Sequence, residues 1–212
     1  MKVLLINGSP NEKGCTYTAL EIIAERLKDQ GVNSTLLQVG KKPIIGCIGC
    51  GACRKTGKCV YGDSDGVNAA RDELEASDGL IVGSAVHYAS ATGALTSFLD
   101  RLFYSRPNAN LRMKFGASVV SCRRGGASAT FDQLNKYFAI SQMPIVSSCY
   151  WNMVHGFTPE DVYADKEGVR TMQLLADNMA YLIKMKNAFS EPLPELPAPA
   201  VTNFVRDDLL KQ

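Results

Sequence analysis

Four cysteines fall within thirteen residues, as Cys47-x2-Cys50-x2-Cys53-x5-Cys59. Thiolates are soft ligands, and a tight run of them in a globular chain reads first as a metal or iron–sulfur site. Gly46, Gly49 and Gly51 alternate with the first cysteines. They let the loop curl, so that successive thiolates point at one centre and loop N–H groups can reach its sulfurs. Four thiolates also satisfy a tetrahedral zinc ion, although zinc more often sits between two separated Cys-x2-Cys pairs. Three cysteines in a row favour a [4Fe–4S] cluster, with vacant or redox-active thiols as the remaining alternative. Cys15, Cys122 and Cys149 are scattered.

Three stretches rich in glycine and small residues form a second set of candidates. Gly8-Ser9-Pro10-Asn11-Glu12-Lys13-Gly14-Cys15-Thr16 leads from an apolar run straight into a helical pattern. Hydroxyls and small residues at a helix N-terminus make an anion site, because free N–H groups and the positive end of the helix dipole face a phosphate. A plain helix start capped by Thr16 is the alternative. The phosphate loop of nucleoside triphosphatases has four residues between its glycines, then Lys before Ser or Thr. Here five residues separate Gly8 from Gly14 and Cys15 takes the lysine position, which argues against kinase or ATPase chemistry.

The second stretch is Ser84-Ala85-Val86-His87-Tyr88-Ala89-Ser90. Its small residues let backbone approach a flat ring, and Tyr88 could stack on one. His87 is a weak candidate acid; a lone histidine is more often a packing or hydrogen-bonding residue. The third stretch, Ser121-Cys122-Arg123-Arg124-Gly125-Gly126, again opens a helix. Its guanidiniums suit a phosphate or the carbonyl edge of a ring, or are simply solvated.

The elements that must position these loops follow from periodicity. Residues 2–6, 33–39, 79–83, 115–121 and 145–148 are expected strands, the first a continuous apolar run of the kind buried on both faces of a parallel sheet. Helical stripes cover 16–27, 67–75, 92–104, 127–140 and 166–189, with Leu95, Phe98, Leu99 and Leu102 on one face of the third. Residues 40–66 show no period and form a long irregular connection. Alternating strands and helices predict an α/β fold: a flavodoxin-like five-stranded parallel sheet of order 2-1-3-4-5 with helices on both faces. In such a sheet ligands bind beyond the carboxyl ends of the strands, where the three stretches lie. Residues 1–190 are expected to form one domain, and residues 191–212 a Pro-rich extension.

Twenty-three Lys and Arg against 21 Asp and Glu leave a net charge of +2, without the clustered positive charge that nucleic-acid or membrane-surface binding requires. Seven cysteines in 212 residues do not fit a secreted disulfide scaffold. The four apolar residues after Lys2 are too few for a signal or a span, so a cytoplasmic, reducing setting is expected.

Taken together, Gly8-Ser9-Pro10 with Gly14 and Thr16, the Val86-His87-Tyr88 turn with Ser97-Phe-Leu-Asp100-Arg101 after it, and the cysteine run resemble the NADPH-dependent FMN reductase family. Within it, the chain is similar to the iron–sulfur flavoproteins over roughly residues 1–185. The resemblance implies FMN, with its phosphate on Ser9, Asn11, Cys15 and Thr16 beside Pro10 and Gly14. It places the isoalloxazine ring on Ala85, Val86, His87 and Tyr88, with Ser121, Arg123, Gly125 and Gly126 closing over it. It implies homodimers or homotetramers as well. Cys15 stands where Asn is usual and Ala85 where Pro is usual.

Two functions follow as expectations. One is an FMN-dependent oxidoreductase passing electrons from NAD(P)H to a small acceptor such as a quinone or second flavin. The other is an electron carrier whose [4Fe–4S] cluster on Cys47, Cys50, Cys53 and Cys59 receives electrons from a ferredoxin-like partner. A small-molecule-binding module with a zinc staple is the blander alternative. Trp151, among aromatic and Met residues, suits a ring pocket, a subunit interface or the core.

Overall fold

The computed structural model describes residues 1–41, 43–105, 111–198 and 200. Strand β1 (Lys2–Asn7) is buried along all but its first residue. Its side chains alternate between two apolar layers: Val3 and Leu5 enter one, Leu4 and Ile6 the other. That division is the period of two that a strand imposes, and it explains why the run lacks polar residues. Strands β2 (Asn33–Gln38), β3 (Gly79–Ala85), β4 (Phe115–Cys122) and β5 (Met153–His155) complete a parallel sheet of order β2-β1-β3-β4-β5, as expected. Edge strand β2 is half-buried, which accounts for Ser34 and Thr35.

Helices α1 (Cys15–Asp29) and α8 (Lys166–Ala188) cover one face, with Leu20, Ile23 and Leu27 of α1 against Leu175 and Met179 of α8. The two helices are also clamped by Arg26, whose guanidinium donates to both carboxylate oxygens of Asp177 at 2.8 and 2.9 Å. Helices α4 (Val67–Glu75), α5 (Gly93–Tyr104) and α6 (Ala127–Ile140) cover the other face. Gly116 is required beneath α6, since a Cβ there would lie 2.5 Å from the Phe138 ring.

Three expectations need correction. The fifth strand is not 145–148. Ile145 makes one isolated parallel bridge to Gly116, and the chain then leaves the sheet and returns at Met153 beside Val120. Between them Ser148 Oγ bonds both Tyr150 O and Asn152 Oδ1, holding an excursion that only an edge position tolerates. Second, the 40–66 connection is not wholly irregular: it contains the single-turn helices α2 (Cys53–Thr56) and α3 (Gly62–Asp65). Third, α7 (Pro159–Ala164) was not expected, although Thr158-Pro159-Glu160-Asp161 carries a capping box with Pro at the helix start. Beyond α8 the described residues hold no helix or strand; residues 199 and 201–212 of the expected extension lie outside the described residues.

Candidate functional site

The loop after β1 is held from below by side chains. Asn7 Oδ1 accepts from Ser9 N at 3.1 Å, and Asn7 Nδ2 donates to Gln38 Oε1 at 2.6 Å. Gln38 Nε2 in turn donates to Ser9 O at 2.7 Å, while the Thr92 hydroxyl donates to Gly8 O at 2.6 Å. Helix α1 then begins with Gly14 in the N-cap position, without a side-chain cap and with no acid in the first turn. Its end therefore keeps donors and positive dipole for an incoming anion. Thr16 is not the cap: its hydroxyl lies 2.7 Å from that of Ser121, buried between the first and third loops.

The second and third loops meet as closely. Val86 N donates to Ser121 O at 3.1 Å. His87 and Ser90 exchange two backbone hydrogen bonds across a two-residue turn, in which Tyr88 and Ala89 have φ of 52° and 57°. Turns with both central residues left-handed favour Asn-Gly, so a Tyr-Ala pair stores strain of order 1–3 kcal/mol per residue. Gln133 of α6 holds the turn by accepting from Ser90 Oγ and Ala91 N, both at 2.9 Å. Gly126 has φ +91°, and a Cβ on it would lie 2.8 Å from Ala89 Cα.

A cavity of about 760 Å³ opens where these loops converge, within the range of small-molecule sites, about 300–1,000 Å³. From the first loop, Ser9, Pro10, Asn11, Gly14, Cys15 and Thr16 line it. The second contributes Ala85, Val86 and His87, and the third Ser121 and Arg123. Tyr88 is not in its wall, because the strained turn leaves its ring fully exposed. Gly125 and Gly126 are also outside it; they border a second cavity of about 470 Å³ with Arg124, Tyr150, Trp151 and His155. Trp151 is thus half-exposed at this second cavity rather than a core plug.

Sequence reasoning missed two parts of the main cavity. Lys41 reaches it from beyond β2 and pairs with Glu12 at 2.7 Å. Residues 156–159 close the far side, where Cys15 Sγ donates to Thr158 O at 3.2 Å. The signal for the latter was the capping box of α7, which places a helix start at the carboxyl end of β5. Burial pushes the Cys15 and Cys122 thiols up, so both are protonated at neutral pH rather than nucleophiles.

The cysteine loop builds a separate site beside α5. Cys47, Cys50, Cys53 and Cys59 all line one cavity, together with Tyr61, Arg101 and Tyr104. Gly49 and Gly51, at φ +67° and +69°, make the reversals that bring the first two around. Asn68 of α4 fixes Cys59 by accepting from its N–H at 2.9 Å and donating to its carbonyl at 3.0 Å. Among the described residues no three His, Cys, Asp or Glu side chains converge on a single-ion site. The cavity the four cysteines line is small, about 20 Å³, and its donor set of four soft thiols has the chemistry of an iron–sulfur ligand set.

Parallel strands in this order, with their carboxyl-end loops closing one cavity, define a flavodoxin-like α/β protein. A sequence model of the NADPH-dependent FMN reductase family matches residues 1–158, and the chain belongs to that family, in its iron–sulfur flavoprotein branch. An iron–sulfur flavoprotein of Methanocaldococcus jannaschii is 29% identical over 192 residues, 87% of this chain and 98% of that protein. One from Archaeoglobus fulgidus is 31% identical over 176 residues, 82% of this chain and 86% of that protein. A flavodoxin from the domain Archaea has the same fold at 16% identity, with a TM-score of 0.58 over 87% of this chain and 99% of that one. The protein is therefore an FMN oxidoreductase. Among the described residues no helix is long and apolar enough to cross a membrane.

Proposed function

We propose that this oxidoreductase transfers electrons between FMN in the strand-end cavity and a [4Fe–4S] cluster on Cys47, Cys50, Cys53 and Cys59. The observation that carries this reading is the shared cavity of the four cysteines, with Arg101 Nε donating to Cys59 Sγ at 3.2 Å. The names of the relatives support it. When bound, FMN supplies hydride and single-electron chemistry and the cluster one-electron steps.

The chain's own residues have distinct tasks. The uncapped α1 N-terminus, with Ser9, Asn11, Cys15 and Thr16, holds the phosphate, and Lys13 adds positive charge at the rim beside the neutralised Lys41–Glu12 pair. The backbone of Ala85, Val86 and His87 supports the ring, and Arg123 offers a cation to its carbonyl edge. Cys15 and Cys122 stay protonated rather than react, and Cys15 donates a hydrogen bond to Thr158 O. The donor in this reading is a ferredoxin-like protein.

A second reading, in which NAD(P)H reduces the flavin and a small acceptor such as a quinone or second flavin takes the electrons, is favoured by the second cavity. Tyr150 and Trp151 are there half-exposed, at 54% and 51%, and open to a planar molecule. Anaerobic reduction separates the two. A reduced ferredoxin is expected to bleach the yellow band of the wild type, and to fail with Cys50→Ser protein that still holds FMN. Full, rapid oxidation of NAD(P)H by the Cys50→Ser protein would instead establish the second reading.

A further inference from the structure

Among the described residues Arg101 is the largest fully buried side chain, and its guanidinium is aimed at the cysteine cavity. Its Nε donates to Cys59 Sγ at 3.2 Å, and Nη1 donates to Ile45 O at 3.1 Å. Nη1 and Nη2 also grip the carboxylate of Asp65, Nη2 to Oδ1 at 3.2 Å. The pair is nearly sealed, with side-chain exposures of 1% and 8%, and the guanidinium carbon lies 5.9 Å from the centre of the Tyr61 ring.

A buried Asp–Arg pair could serve only to tie the loop to α5. Two features point further. The Nε–H is spent on a sulfur, a weak acceptor as a neutral thiol and a far stronger one as a ligating thiolate. The charges are also ordered: the cation faces the sulfur and the carboxylate sits behind it. In a site shielded from water such charges act with little screening.

We propose that Arg101 is a positioning residue that sets the reduction potential of the centre held by Cys59, and that Asp65 limits its effect by partly neutralising it. The proposal rests on the cluster reading above. One-electron reduction makes the centre more negative, so a cation beside a ligand sulfur stabilises the reduced form and raises the potential; hydrogen bonds to sulfur act in the same direction. The two partners must then shift the potential in opposite directions.

The test is a redox titration of anaerobically purified holoprotein with dithionite and mediators, following the cluster by electron paramagnetic resonance. Asp65→Asn is expected to shift the potential upward, and Arg101→Gln downward. Where Arg101→Gln does not load a cluster, Arg101→Lys is measured in its place; it keeps the charge, loses the Nε–H aimed at Cys59, and is also expected below wild type. Equal potentials, or shifts of one sign, overturn the proposal and leave Arg101 a brace for the loop. Wild-type protein without iron or sulfide overturns the cluster reading itself, and the proposal with it.

Discussion

The hydroxyls of Thr16 and Ser121 lie 2.7 Å apart, buried, and join the first turn of α1 to the end of β4. This contact spans 105 positions of sequence and fixes the spacing of two loops that line the main cavity. Ser121→Ala leaves the Thr16 hydroxyl buried without its partner, a loss of about 1–3 kcal/mol. The Thr16→Val/Ser121→Ala pair removes both polar groups and is expected to cost less than the sum of the single changes. Urea denaturation reads the stabilities. FMN titration of the apoprotein is expected to show about tenfold weaker binding for Ser121→Ala, equivalent to about 1.4 kcal/mol. Additive losses in the pair would remove the hydroxyl contact from the explanation.

Gly126 is where the second and third loops touch. A side chain there meets Ala89 Cα at 2.8 Å and Val86 Cγ1 at 2.9 Å, on backbone already at φ +91°. Gly126→Val should drive the 85–90 turn away from the 121–126 loop and weaken FMN binding by tenfold or more, with a strain cost of order 1–3 kcal/mol. Wild-type affinity in this variant, measured by flavin fluorescence, would show that the two loops open without consequence.

Thiol chemistry should sort by environment. Burial pushes Cys15 and Cys122 up, leaving little thiolate at neutral pH, whereas Cys149 is exposed. Brief treatment of the holoprotein with iodoacetamide at neutral pH, followed by peptide mass spectrometry, is expected to label Cys149 well before Cys15 and Cys122. Comparable rates at the three would contradict the environments described.

The Arg26–Asp177 clamp gives a pH dependence of known sign. The Arg26 guanidinium holds the Asp177 carboxyl below its usual range. Its stabilising effect is therefore full above the unfolded carboxylate value of about 3.9 and is lost as pH falls through the lower folded value. Both side chains are partly exposed, so the effect is small. Asp177→Asn should melt below wild type at neutral pH, and the difference should close under acid. A gap that persists under acid would assign the loss to packing instead.

The sheet was legible because its signals are local: unbroken apolar runs at 2–6 and 79–83, and the stripe Leu95, Phe98, Leu99, Leu102. The fifth strand was not. Ile145 and Val146 have the composition of a strand, but pairing after the Gly116 bridge passes to Met153–His155, which only the register with β4 decides. Most of the cavity wall was readable from small residues and hydroxyls placed at strand ends. Tyr88 was misplaced because a left-handed Tyr-Ala turn has no sequence signature and turns the ring outward. The cysteines were legible as a group from spacing alone. Arg101 stood out only within the Ser97–Arg101 stretch, and its pairing with Asp65 was not legible, since partners 36 positions apart leave no local pattern.

The most direct measurement is an assay of FMN, iron and sulfide in protein purified without oxygen, for wild type and Cys50→Ser. Expected is one FMN per chain in both, with about four irons and four sulfides in the wild type, as the cluster formula requires, and neither in the variant. A yellow wild-type protein carrying FMN but no iron or sulfide would contradict it.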